Sequence, residues 1–188
     1  MMLRVIGKVL SILGGFPFMR FSIEFKQLPS AATDIDIDLG HDCNFVFHCA
    51  RVAGYSGASV ARWRFGGAAL DTGNNYGAVA SEPNDATSTS TINTSGILVG
   101  ETGQTTPRAL LAAITVKERA ADIAKTVGIG IDDSESIGTA LLMTQHGGLW
   151  GNTANLIRHV GLNSGAAVNL NAGSWVLAFG LRFPIPTL

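Results

Sequence analysis

Ala140-Leu141-Leu142-Met143-Thr144, Asn155-Leu156-Ile157-Arg158-His159-Val160 and Ser174-Trp175-Val176-Leu177-Ala178-Phe179 are three apolar-rich runs in the segment from Gly138 to Arg182. Gly147-Gly148-Leu149-Trp150-Gly151 separates the first pair and Asn169-Leu170-Asn171-Ala172-Gly173 the second. Runs this short, punctuated by Gly, Asn and Ser, predict strands joined by glycine turns in an antiparallel β-sandwich.

The pattern extends upstream. Phe21, Ile23 and Phe25 alternate with Ser22, Glu24 and Lys26 as a half-buried strand ended by Pro29. Ile35, Ile37 and Leu39 alternate with Asp34, Asp36 and Asp38 in the same way. Asn44–Val52 and Ser59–Phe65 follow, with Gly54-Tyr55-Ser56-Gly57 as an expected hairpin connection. Residues 81–106, rich in Ser, Thr, Asn and Gly around Ile97-Leu98-Val99, read as an exposed, extended excursion. Residues 107–127 stay open. Pro107, the alanines and Gly128 suit a capped helix, while Leu110-Leu111-Ala112-Ala113-Ile114-Thr115-Val116 suits a buried strand. Near the N-terminus Ile6, Val9, Leu10 and Leu13 have the spacing of a short amphipathic helix stopped at Gly14-Gly15. Lys8 interrupts that apolar run and no small-x-small cleavage site follows, so it reads as part of the folded protein, not a signal peptide. The expected organisation is an N-terminal arm over 1–20, extended or short-helical, and one sandwich domain over 21–188.

The 188 residues suffice for one domain with a substantial core. Only 14% are charged and 46% are hydrophobic, so the surface is weakly charged and inclined to associate. A net charge of −1 supplies no field to attract nucleic acid. Cys43 and Cys49, if they share one strand, stand roughly 20 Å apart, far beyond disulfide reach. No membrane-spanning run is present.

Residues with chemical potential each have a plainer reading. Asp71-Thr72-Gly73 matches an aspartic-protease half-site, where two carboxylates share a proton, but Asn74-Asn75 continues it as turn chemistry. Asp34-x-Asp36-x-Asp38 opens like a calcium loop. It lacks the glycine and glutamate of that motif, with Leu39 and Phe45 in their places, so a cation there stays an open question. His41, His48, His146 and His159 never take metal-ligand spacing with one another or with the cysteines. In Arg62-Trp63-Arg64-Phe65 alternation turns both aromatics to one face, into the core, and both arginines to the other. Neither a nucleophile elbow nor a phosphate loop occurs. The chain therefore reads as non-enzymatic, with no cofactor, no metal and no small-molecule substrate.

Arg62-Trp63-Arg64-Phe65-Gly66-Gly67 followed by Asp71-Thr72-Gly73-Asn74-Asn75-Tyr76 resembles a motif of small structural proteins of tailed bacteriophages. Gly147-Gly148-Leu149-Trp150, the run around Ile157, and Asn169-Leu170-Asn171-Ala172-Gly173-Ser174 resemble the closing pattern of the same family. Two departures lie in the first turn: Ala68-Ala69-Leu70 is inserted, and Gly66-Gly67 replaces Asn-Gly. The resemblance implies a jelly-roll-like sandwich with strands over 111–119 and 123–131. It further implies a virion structural protein on the capsid surface, a decoration (cement) protein partnered by the major capsid protein and by its own copies, a trimer being favoured. Arg4, Ile6, Lys8, Leu10, Leu13, Phe16 and Phe18 of the arm are then the expected shell or neighbour contacts. The alternative is a tail-tip or fibre-head module touching host glycans, with Trp150 and Asn152 as an exposed binding loop.

Overall fold

The computed structural model of the chain describes residues 2–8, 19–57, 59–81, 88–104, 108–133, 142–165 and 168–183. Among them are thirteen strands and no helix. In chain order these are β1 (Met2–Lys8), β2 (Arg20–Gln27), β3 (Asp34–Cys43), β4 (Phe45–Val52), β5 (Ser59–Gly66), β6 (Tyr76–Ser81) and β7 (Ser88–Thr94). There follow β8 (Ile97–Gln104), β9 (Arg108–Val116), β10 (Ala124–Asp133), β11 (Leu142–Trp150), β12 (Ile157–Asn163) and β13 (Trp175–Arg182). They form two sheets with antiparallel pairing throughout: β1-β2-β13-β4-β9-β10-β11-β6-β7, and β3-β12-β5-β8. The smaller sheet lies across the larger, β3 over β2 and β13, β8 over β10, β11 and β6, giving a β-sandwich.

Several expectations are corrected. Residues 2–8 are strand, paired along their length with β2, so the short-helix reading fails there; residues 9–18 lie outside the described part. Residues 108–116 and 124–133 are strands, which decides the open question against helix, because both are paired on both sides. The polar stretch after residue 81 is no excursion. Its Ile97 and Val99 are buried, and β7 and β8 join opposite sheets. Gly147-Gly148 is not a turn but the middle of β11. A Cβ on Gly148 would stand 2.7 Å from the Gly77 carbonyl and from Ile97 Cδ1, so only glycine lets the layers close there. Residues 54–57 cross between sheets and make no hairpin. Cys43 and Cys49 likewise belong to different sheets, the chain changing layer at Asn44, and both are free thiols. The Asn44 side chain binds both sides of the Phe183 peptide, its Nδ2 donating to the carbonyl (2.7 Å) and its Oδ1 accepting from the amide (3.1 Å).

The smaller sheet supplies much of the bulk: Ile35, Ile37, Leu39, Trp63, Phe65, Ile97, Val160 and Leu162 are buried. Opposite them the larger sheet sets two rows of mostly small or polar residues, flanked by its own buried Leu111, Val176, Tyr76 and Trp150. One cross-strand row runs Ser22, Gly180, Val46, Thr115, Thr126, Gly148, Ala78. The next runs Glu24, Ala178, His48, Ala113, Gly128, His146. Leu39 reaches Gly180 and Ile97 reaches Gly148, where an added Cβ would stand 2.9 Å and 2.7 Å from them. The Trp63 ring meets His48 edge-on at 4.3 Å between centroids. In β2 the alternation is therefore present with its phase reversed: Ser22 and Glu24 face the interior, and Ile23 faces out.

His48 and His146 sit fully within this interior. His48 Nε2 is 2.9 Å from Thr115 Oγ1, which is 2.8 Å from Thr126 Oγ1; both nitrogens of His146 are buried without partners. Burial pushes His48 down to about 3, helped by nearby His146, and burial pushes His146 down to about 4. Unfolded, each takes up a proton near 6.5, whereas folded each stays neutral. Their contribution is complete above 6.5 and is lost as pH falls toward the folded values. Unfolding free energies from urea titrations should therefore drop between pH 6.5 and 5, by roughly 1.4 kcal/mol per pH unit per histidine. His146→Gln should flatten that slope, and an unchanged slope would refute neutral burial. Gly148→Ala should cost roughly 1–3 kcal/mol by the same measurement, because the added methyl overpacks the layer.

Candidate functional site

Because the middle rows of the larger sheet turn mostly small residues inward, many of its bulky apolar residues point outward. One cross-strand row on that outer face reads Ile23, Phe179, Phe47, Ile114, Val127, Gly147, Val79. A second reads Phe25, Leu177, Cys49, Ala112, Ile129, Gln145. A third reads Phe21, Leu181, Phe45, Val116, Lys125, Leu149. Lys125 is the one charged residue in these rows. Val127 is 67% exposed, Leu110 55%, and Ile129, Leu149 and Val79 46% each. Phe21 with Phe179 and Phe25 with Trp175 pack laterally, at 6.2 and 5.9 Å between ring centroids. Where Ala112 and Gly147 withhold bulk, the face sinks into an open groove of about 650 Å³ between Phe47, Ile114, Val127 and Val79. Scattered exposed hydrophobics are ordinary on a monomer, but a contiguous face of this kind marks an interaction surface.

The far side of the sandwich is the opposite in character. Asp34, Asp36 and Asp38 stand along one face of β3, each engaged by the protein itself. Arg64 Nη1 lies 3.3 Å from Asp34, His159 Nδ1 3.0 Å from Asp36, and Arg158 grips Asp38 with two bonds of 2.9 and 3.1 Å. The Arg158 hydrogen bond, opposed by some desolvation, lowers Asp38 to about 2. The aligned carboxylates thus complete a charged, internally paired surface. Among the described residues no three His, Cys, Asp or Glu side chains converge as a metal centre.

Asp71 organises a turn. Its Oδ2 accepts from Trp150 Nε1 and Asn75 Nδ2, and its Oδ1 from the Gly73 amide, each at 2.9 Å. Burial alone would raise this carboxyl, but those donors outweigh it and hold it below the ordinary carboxylate range. In this turn the Asp71 carboxylate is the acceptor that ties Gly73, Asn75 and Trp150 together.

Trp150 is corrected: it is fully buried, not a platform in an exposed loop. Lys117 Nζ sits 5.1 Å above its ring and donates to the carbonyls of Asp122 and Asn152. Asn152 is half-buried, its Oδ1 capping the amides of Ala154 and Asn155. Neither is arranged to stack on a ligand. Of the expected arm contacts, Arg4, Ile6 and Lys8 lie in β1 at the sheet edge. Leu10, Leu13, Phe16 and Phe18 fall outside the described residues.

The outer face escaped sequence reading, though one signal was available. Leu110–Ile114 is apolar at five successive positions, which is the mark of a strand with both faces covered. No known family model matches the chain, and no curated protein matches it significantly.

Removing the Asp71 carboxylate orphans the buried indole N–H. Asp71→Ala should lower unfolding free energy by roughly 1–3 kcal/mol in urea titrations, with Asp71→Asn losing less. Equal stability of wild type and Asp71→Ala would show that the turn does not depend on this bond.

Proposed function

We propose that the protein is a virion structural subunit, a capsid decoration (cement) protein of a tailed bacteriophage. It seats its apolar sheet face on the outer capsid shell, with the major capsid protein as its partner, and stabilises the shell through subunit contacts. The observation that carries this reading is the outer face of the nine-stranded sheet, apolar across seven strands while the opposite face is charged and self-paired. At ~4.8 Å between strands the face is about 30 Å across, and counted out to the further row of Arg51 and Leu110 it is, at ~3.3 Å per residue, about 20 Å along them. Its projected area of roughly 600 Å², enlarged by side-chain relief, approaches the ~800 Å² per partner of a stable interface. A particle with one wettable and one non-wettable side belongs on a surface, its polar side turned to water.

The topology supports the same reading. Strands β2-β13-β4-β9 lie in one sheet and β3-β12-β5-β8 in the other, and successive strands change layer from β2 to β5, from β8 to β9 and from β12 to β13. We read these eight as a jelly roll, with β10-β11 and β6-β7 as insertions widening one sheet. Jelly rolls recur in viral capsid proteins, a likeness of fold and not of site. The resemblance of the Arg62–Tyr76 segment to phage structural proteins points the same way and favours a trimer.

The test mixes purified protein with shells stripped of it and measures occupancy by imaging and by bound mass. Val127→Glu and Ile129→Glu point away from the core and should leave stability within about 0.5 kcal/mol. They should abolish occupancy of the shell. Folded variants that decorate shells as well as the wild type would overturn the assignment of the face. Wild-type protein that ignores the shell would overturn the function.

A further inference from the structure

We propose that the cleft lined by Arg20, Gly40, His41, Asp42, Arg158 and Arg182 binds a phosphate-type oxyanion, a site independent of the apolar face. Arg20 and Arg182 are direct register partners at the ends of β2 and β13, and Lys8 of β1 is the register partner of Arg20. Like charges set opposite one another across strands oppose folding unless something neutralises them. Among the described residues Arg158 is committed to Asp38, whereas Arg20 and Arg182 enter no ion pair. Asp42, the one carboxylate of the lining among the described residues, is exposed.

Two polar atoms of the lining residues are buried with no hydrogen-bond partner: Arg182 Nη1 and His41 Nε2. A buried guanidinium nitrogen left unpaired costs its desolvation, which an oxyanion would recover. Guanidinium groups match the paired oxygens of phosphate geometrically, and the two arginines offer such a fork beside the imidazole. The cleft, about 490 Å³ and predominantly polar, has room for a phosphate carrying a substituent.

Calorimetric titration of the full chain with inorganic phosphate, in chloride buffer of matched ionic strength, tests this. Saturable one-to-one binding is expected, weakened roughly ten-fold or more by Arg20→Gln and by Arg182→Gln. Arg51→Gln, at the opposite end of β4, should bind as the wild type does. Circular dichroism checks folding, and if Arg182→Gln does not fold, Arg20→Gln decides, its side chain being exposed. No saturable heat from the wild type, or wild-type affinity in folded Arg20→Gln, would overturn the site.

Discussion

Everything in this molecule follows from how two unequal sheets meet. The four-stranded sheet presents Trp63, Phe65, Ile35, Ile37, Leu39 and Ile97, and packed sheets stand only ~10 Å apart. Over the middle of the contact that gap does not hold bulk from both sides. The nine-stranded sheet meets its partner there with Gly148, Gly180, Ala178, Ala113, Thr115 and Thr126, and sets its own buried Leu111, Tyr76 and Trp150 beside those rows. Each fully buried large side chain contributes roughly 1.5–3 kcal/mol, and both sheets supply such side chains.

The outward apolar face is the other half of that arrangement. Successive strand residues point to opposite sides, so a strand that turns glycine, alanine or threonine inward turns its phenylalanines, leucines and valines outward. Phe47, Ile114, Val127 and Ile129 are on the surface because His48, Ala113 and Gly128 are not. The same economy of space puts His48 against Trp63 and leaves His146 neutral inside, coupling stability to protons through buried imidazoles.

The edges of the sandwich are held by polar side chains in place of apolar ones. Asn44 fastens the point where the chain changes sheets to the Phe183 peptide. Asp71 anchors the indole of Trp150, and Tyr76 ties one sheet to the backbone of the other through Phe65 and the Asp71 carbonyl. Rigid ends keep the broad sheet in shape, which a docking face of the proposed kind requires.

Strand position was legible in the alternation of residues 21–26 and 34–39 and in the aromatic phase of Arg62–Phe65, which the structure keeps, but not at β1, β7 or β8, and it stayed open at β9 and β10. Period-two patterning reports that a strand has two unlike faces. It does not report which one the rest of the chain covers. For β3 and β5 the apolar side is inside; for β2 it is outside, with Ser22 and Glu24 buried. Glycines misled as turns at Gly147-Gly148 because the reason for them, Ile97 and the Gly77 carbonyl, arrives from distant parts of the sequence. Local residue order thus determined that the protein is built of short antiparallel strands. Pairing across long separations alone decided which surfaces stay bare, since burial belongs to the meeting of two sheets and to neither strand by itself.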